Sequence, residues 1–408
     1  MYKLIDIVFK RRDPDIWMYH TASSYKVRIN EETLSHMSNL LQKTDSVSLS
    51  KEEKFLLDKL LEKKMLVAAA EKTRLPPVKN KSRLDSIELE FSSACNLKCR
   101  HCFASLSGRN MQPGIIGKIL KGAAELDIIN LVLSGGEPLL NPLFADTLQK
   151  AHEMNLKIIV MTNGADVADE TAKIMAENKV AETVVSLDFF KQHHDEIRGE
   201  GSFDKTIKGI RTFKKYGLSV YVTAVACDKS VPFIEDFKKF CLRELGISQI
   251  RLSAAIPVGR ASDPPALKDF YISDENLKKI FSEECLQEQS GKGKTGESEL
   301  RGFPCAACTG QLFVSAEGIV YPCRYFQNLN EPVGSLDGLE LAKIYEKACK
   351  HGPTALFKPA EMKACVSCES FAACRGGCRA RAKLLTGDVY GPDPFKCRTY
   401  GKNFKYYT

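Results

Sequence analysis

Between residues 86 and 262, strand-like and helix-like stretches alternate six times, and few folds accept that pattern. The strand candidates are Ile87–Phe91, Ile129–Ser134, Lys157–Thr162, Thr183–Leu187, Ser219–Ala226 and Gln249–Ala254. Helical stretches lie between them at Ile115–Leu126, Leu143–His152, Ala168–Glu177, Phe203–Tyr216 and Ile234–Leu245. Strands joined by right-handed helical crossovers form a parallel sheet covered by helices, so the expected class is α/β. Such sheets gather their chemistry at the C-terminal strand ends. The marked residues fall there: three cysteines after the first strand, Gly135-Gly136-Glu137-Pro138 after the second, Asn163-Gly164 after the third, and Ser186 and Asp188 at the end of the fourth.

Two different regions flank this core. Residues 1–70 combine a period-2 strand, Tyr25, Val27 and Ile29 alternating with Lys26 and Arg28, with two short helices. Asn30 is placed to cap the first helix, and Ser50-Lys51-Glu52-Glu53 has the form of a capping box for the second. Strands followed by short helices suggest a winged-helix-like module. Residues 71–85, with Pro76-Pro77 and several basic side chains, are expected to be a linker. Residues 263–304 form a polar bridging region; its Gly291–Gly296 run lacks a preceding strand and is expected to be a loop rather than a phosphate site. Residues 305–408 are cysteine-rich.

The chain has 15 cysteines, an apolar N-terminal stretch broken by Asp6, and no run long enough to span a membrane. A cytoplasmic, metal-binding protein is the expectation, not a disulfide-bonded one. Cys227, Cys241, Cys285 and Cys349 stand alone and are expected to be ordinary thiols. The net charge of +8 is spread among acidic neighbours, as in Lys51-Glu52-Glu53-Lys54, so it does not describe a nucleic-acid surface.

Cys95, Cys99 and Cys102 form a Cys-x3-Cys-x2-Cys run. Three close thiolates suit a four-iron cluster with one iron left open, and an open iron binds small molecules that a fully ligated carrier excludes. A zinc knuckle with His101 as fourth ligand uses the same residue types. Together with Phe103 and Gly135-Gly136-Glu137-Pro138, however, the run strongly resembles the radical S-adenosylmethionine (AdoMet) superfamily. The resemblance implies a (β/α)6 partial TIM barrel, which matches the repeat count, and a cluster that binds and reductively cleaves AdoMet to a 5′-deoxyadenosyl radical. It also implies cofactor contacts at Phe103, Gly135, Gly136, Glu137, Asn163, Ser186, Asp188 and Arg198, with Glu137 on the AdoMet ammonium and Ser186 and Arg198 at the carboxylate. The family often has Gly after the Asp, where this chain has Phe189. His193 and His194 are adjacent and are expected to be loop residues, not a metal pair.

Cys308-x9-Gly318-x4-Cys323, then Cys365-x2-Cys368-x5-Cys374-x3-Cys378 and Cys397, resembles the SPASM domain of radical AdoMet peptide-modifying enzymes, with Cys305 as an eighth cysteine. By that resemblance, Cys305, Cys308, Cys323 and Cys378 hold one auxiliary [4Fe-4S] cluster. Cys365, Cys368, Cys374 and Cys397 hold a second, for three in all. One or two structural zincs would use the same spacings. Arg324 stands where anaerobic sulfatase maturases carry an Asp. The N-terminal module is similar in order and size to the recognition elements of enzymes that mature ribosomally made peptides (RiPPs), which bind a leader peptide as an added strand.

The implied function is a peptide maturase that installs a cross-link, with a Cys thioether first. Carbon–carbon or carbon–oxygen linkage, epimerisation and sulfatase-maturase-like oxidation are the alternatives. The implied partners are a precursor peptide held through its leader and an electron donor such as flavodoxin or ferredoxin, with no membrane or nucleic acid. A non-catalytic iron–sulfur carrier, a zinc-organised binding protein and an RNA-modifying radical enzyme are the competing classes.

Overall fold

The computed structural model describes residues 1–12, 15–43, 48–79, 82–289, 305–351 and 359–402. The alternating region forms β7 (Ser86–Ser92), β8 (Asn130–Gly135), β9 (Lys157–Thr162), β10 (Glu182–Ser186), β11 (Val220–Ala226) and β12 (Ile250–Ala254). They lie side by side in sequence order, all parallel. Between them run α3 (Pro113–Glu125), α4 (Phe144–Glu153), α5 (Asp169–Glu177), α7 (Ser202–Lys215) and α8 (Ile234–Leu245). Each strand alternates between residues sealed under the helices, such as Leu131, Leu133, Ile158 and Val160, and residues on the inner face of the curved sheet. That alternation is why the apolar runs located the strands.

One helix in this region has no apolar stripe to announce it. Lys191–Arg198 is α6, so His193 and His194 are helical rather than loop residues. His193 stacks edge-on against Phe233, and His194 is buried.

The N-terminal region is richer in strands than expected. It contains β1 (Tyr2–Leu4), β2 (Ile7–Arg12), β3 (Asp15–His20) and β4 (Lys26–Ile29). The helices α1 (Glu31–Gln42) and α2 (Lys51–Glu62) follow, with β5 (Leu66–Ala68) pairing with β1. The Asn30 cap and the Ser50/Glu53 capping box are both formed. The segment 71–85, expected as a linker, adds β6 (Val78–Lys79) to the edge of β2, giving a four-stranded sheet ordered β4-β3-β2-β6. Two residues are too few to show a strand pattern, so only the pairing reveals it.

This module packs against the loops that enter the barrel strands. Lys10 is fully buried there; its ammonium donates to the carbonyls of Leu84 and Asp127 and pairs with Asp85. Thr21 donates to Asn155 at 2.7 Å, Tyr221 donates to Ser24 at 2.8 Å, and Val8, Trp17 and Tyr19 pack on Ile129.

After β12 come α9 (Pro264–Asp269) and α10 (Asp274–Gln289). The Gly291–Gly296 loop lies outside the described residues. The C-terminal region then returns to the barrel: β13 (Gln311–Val314) joins the sheet parallel to β7, and β14 (Ile319–Tyr321) and β15 (Gly334–Ser335) extend it antiparallel. The helices α11 (Arg324–Asn328), α12 (Leu341–His351), α13 (Lys363–Val366), α14 (Phe371–Cys374), α15 (Arg379–Thr386) and α16 (Pro394–Thr399) complete the described chain.

Candidate active site

The chain leaves β7 at Ser92 and immediately forms the loop that carries Cys95, Cys99 and Cys102. The loop is pinned to the end of β8: Gly136 N–H donates to the Ser92 carbonyl at 2.7 Å, and Glu137 N–H to the Ala94 carbonyl at 2.8 Å. A Cβ at Gly135 (φ +120°) would collide with the Ser92 carbonyl, and one at Gly136 with that of Ala94. The close approach these glycines permit in the structure is therefore to the cysteine loop itself.

Glu137 is buried and accepts from Thr162 Oγ1 at 2.7 Å, Asn163 N–H at 2.8 Å and Leu139 N–H at 3.2 Å. Burial pushes its carboxyl up to about 7 against those donors, all of them neutral. A carboxylate in this state gains from an incoming cation. Asn163 ties the third strand to the cysteine run by donating to Asn96 Oδ1 at 2.7 Å; its amide nitrogen is also 3.9 Å from Cys95 Sγ.

Asp188, just past the end of β10, is fully buried. It accepts from Arg198 Nε at 2.7 Å and from Val225 N–H at 2.8 Å, and His101 Nε2 lies 3.2 Å away. Burial pushes the Asp188 carboxyl up, but Arg198 and His101 more than offset it and hold it well below the usual range. Arg198 also places Nη1 3.8 Å from Cys99 Sγ. His194 Nδ1 accepts from Asp188 N–H at 3.1 Å, and burial lowers its pKa to about 4, so it is neutral. His101, the possible zinc ligand of the sequence reading, faces Asp188. Sequence reasoning missed both His101 and His194 as supports of the site, because their role depends on contacts across the barrel.

The thiols of Cys95 and Cys99 are both pushed up by burial, Cys99 to about 11. A bound metal core would displace these protons, and three thiols on one loop are the soft donors that such a core takes. Phe103 is half-buried, its ring 5.5 Å from that of Tyr325 and beneath the Arg324 guanidinium at 5.4 Å. Ser186 stands on the inner face level with Thr223 and Arg251.

Residues 89–228, which hold all of these groups except Arg251, Arg324 and Tyr325, match the Radical SAM superfamily model. This span is a radical SAM domain. Such domains use AdoMet and a [4Fe-4S] cluster. The chain is 28% identical over 346 residues to an AdoMet-dependent heme synthase from Methanosarcina barkeri, covering 78% of this chain and 97% of that protein. It is 26% identical over 327 residues to the mycofactocin maturase MftC of Mycolicibacterium smegmatis, covering 75% and 80%. Its fold resembles that of Streptococcus suis SuiB, solved with the precursor peptide SuiA bound. That match has a TM-score of 0.67 at 18% identity and covers 97% of this chain and all of the other.

Beyond the radical SAM domain, the late cysteines divide. Cys305, Cys323 and Cys378 share one apolar cluster with Phe313, Tyr321 and Phe326. Cys365, Cys368 and Cys374 lie within electrostatic reach of Cys397. Cys308 differs: it is fully buried in the main barrel core with Leu312, Val314, Leu341 and Tyr345. Leu312 and Val314 are on one face of β13 and Phe313 on the other, so the hairpin stands between Cys308 and Cys323. The expected set Cys305, Cys308, Cys323 and Cys378 is thus divided between two apolar clusters, with Cys308 still within electrostatic reach of Cys305. The three-residue step from Cys305 to Cys308 includes a positive φ of 58° at Cys308, which turns its side chain into the core.

Proposed function

We propose that this chain is a radical SAM peptide maturase that takes hydrogen from a ribosomally made precursor and installs a cross-link, a Cys thioether first. The observation that carries this reading is the fold likeness over 97% of the chain, N-terminal module included, to a structure with a precursor peptide bound. The heme synthase relative raises a porphyrin substrate as the rival, but its match covers only 78% of the chain.

In this reading Cys95, Cys99 and Cys102 hold the [4Fe-4S] cluster, which with AdoMet supplies a radical able to take a hydrogen atom from the peptide. Glu137 accepts the AdoMet ammonium. Arg198, engaged by Asp188, acts on the cluster side by placing positive charge beside Cys99. Phe103, clasped by Tyr325 and Arg324, offers an aromatic face to the cofactor. Cys365, Cys368, Cys374 and Cys397 hold one auxiliary cluster, and Cys305, Cys323 and Cys378 the other. The winged-helix-like module takes the leader as a strand on the free edge of β4, where Lys26 and Arg28 favour an acidic segment. A flavodoxin or ferredoxin supplies electrons. No helix among the described residues is long and apolar enough to cross a membrane.

The test is anaerobic incubation with AdoMet, dithionite and a Cys-containing precursor, read by mass spectrometry. The expected product is lighter by about two mass units per link, the two hydrogens lost in an oxidative cross-link. Unchanged peptide mass alongside deoxyadenosine release counts against cross-linking, and deuterium gain in heavy water points to epimerisation.

A further inference from the structure

The inner wall of the barrel holds a charge pair that the cofactor site does not use. Glu88, on β7, faces inward level with the apolar Val132 and Ile159, with Glu182 next in the same row. Its carboxylate accepts from Ser134 Oγ at 2.8 Å and pairs with the Arg324 guanidinium. Arg324 directly follows Cys323 and reaches into the barrel, 3.8 Å from Met161 Sδ and over the Phe103 ring. Both side chains keep some accessibility, 18% for Glu88 and 22% for Arg324, so the pair is not sealed in the core.

Placing an ion pair among apolar side chains costs desolvation that a leucine or methionine there would avoid, so stability gives no reason for it. Three other carboxylates line the strands and their ends, each with its own partners. Glu90 is buried and accepts from Ala316 N–H and Gln327 Nε2, both at 3.1 Å. Glu182 pairs with Lys157 at 2.5 Å at the foot of its strand, and Glu137 is ringed by three donors at the top. Glu88 alone among these four pairs with a guanidinium, and that guanidinium also lies over the Phe103 ring.

We propose that Glu88 is the base that takes the proton released when the peptide cross-link forms, and that Arg324 positions it. The inference rests on the maturase reading. Linking a carbon to a group X breaks one C–H and one X–H bond and makes one C–X bond. The hydrogen atom leaves with the radical that the cofactor supplies, the proton goes to Glu88, and the remaining electron goes to an oxidised auxiliary iron–sulfur cluster.

The experiment uses the full-length, cluster-loaded enzyme and a precursor that the wild type links. For Glu88→Gln, iron content, peptide affinity and deoxyadenosine release stay near wild type. The yield of linked product per deoxyadenosine falls on the order of a hundredfold, the scale of a lost general base. Glu88→Asp restores part of that ratio, and it becomes the deciding variant if the glutamine protein loses iron. A wild-type ratio in the variant that keeps its iron overturns the inference alone. Parallel loss of deoxyadenosine release and product, with iron intact, also overturns it, since that marks a positioning role. Deoxyadenosine release by the wild type with no linked peptide overturns the maturase reading and this inference with it.

Discussion

The two ends of the barrel are built from the same six strands and do opposite things. At the C-terminal ends, buried polar groups are left partly uncommitted: thiols raised by burial, a Glu137 carboxyl near neutrality, and a guanidinium beside Cys99. At the N-terminal ends the buried groups are matched. Lys10 has two carbonyls and Asp85, Thr21 has Asn155, and Asp6 has Lys179. Uncommitted buried polarity costs stability and gives binding capacity; matched polarity gives docking. The same contrast separates the two faces of the β13–β14 hairpin, where Cys323 lies among other thiols and Cys308 lies in a sealed apolar core.

The sharpest way to break the comparison is at the C-terminal end. Cys99→Ala should abolish deoxyadenosine formation and remove about four irons per chain, measured by anaerobic assay and metal analysis. Across the hairpin, Cys323→Ala should also lose about four irons, while Cys308→Ala should keep them and cost only about 1 kcal/mol in chemical denaturation. Equal iron loss in both would put Cys308 back in the cluster.

Glu137 tests whether the uncommitted carboxyl serves a cation. Its ionised form binds an ammonium, and in the folded protein that form is lost as pH falls through about 7. AdoMet affinity, measured by calorimetry, should therefore weaken by about tenfold in all as the carboxyl protonates below that point. Glu137→Gln should bind about tenfold more weakly at pH 8 and show no such slope.

At the opposite end the effects should be on stability alone. Lys10→Met leaves the Leu84 and Asp127 carbonyls without their donor and should cost about 1–3 kcal/mol, read by denaturation and faster proteolysis of the N-terminal module, with iron content unchanged. The half-exposed Asp6–Lys179 pair should matter least: Lys179→Ala is expected to cost about 0.5 kcal/mol or less.

Much of this was legible from local pattern. The six barrel strands were readable because parallel strands are apolar runs bounded by polar turns, and no observed limit differs from the expected one by more than one residue. The helix Lys191–Arg198 was not readable, because its buried residues are His194, Ile197 and Arg198, two of them polar and held by the site they build. The strand at Val78–Lys79 exists through its partner β2, which lies some seventy residues earlier in the chain. The cysteine motif pointed to the radical SAM match because its three cysteines lie on one short loop, where spacing and geometry nearly coincide.

Spacing says less once ligands are far apart. The sequence alone determined the element order, the cysteine loop and the position of Glu137, since each depends on neighbours within a few residues or on a strand end. Only the tertiary structure decided that Gly135 and Gly136 make room for the cysteine loop, and that Arg198 turns toward Asp188 and Cys99. It also decided that Glu88 meets Arg324 and that Cys308 faces the core. Each of these depends on which face of a strand a side chain takes and on what a distant segment brings to that face. A one-residue turn reverses the first, and the sequence of the strand does not encode the second.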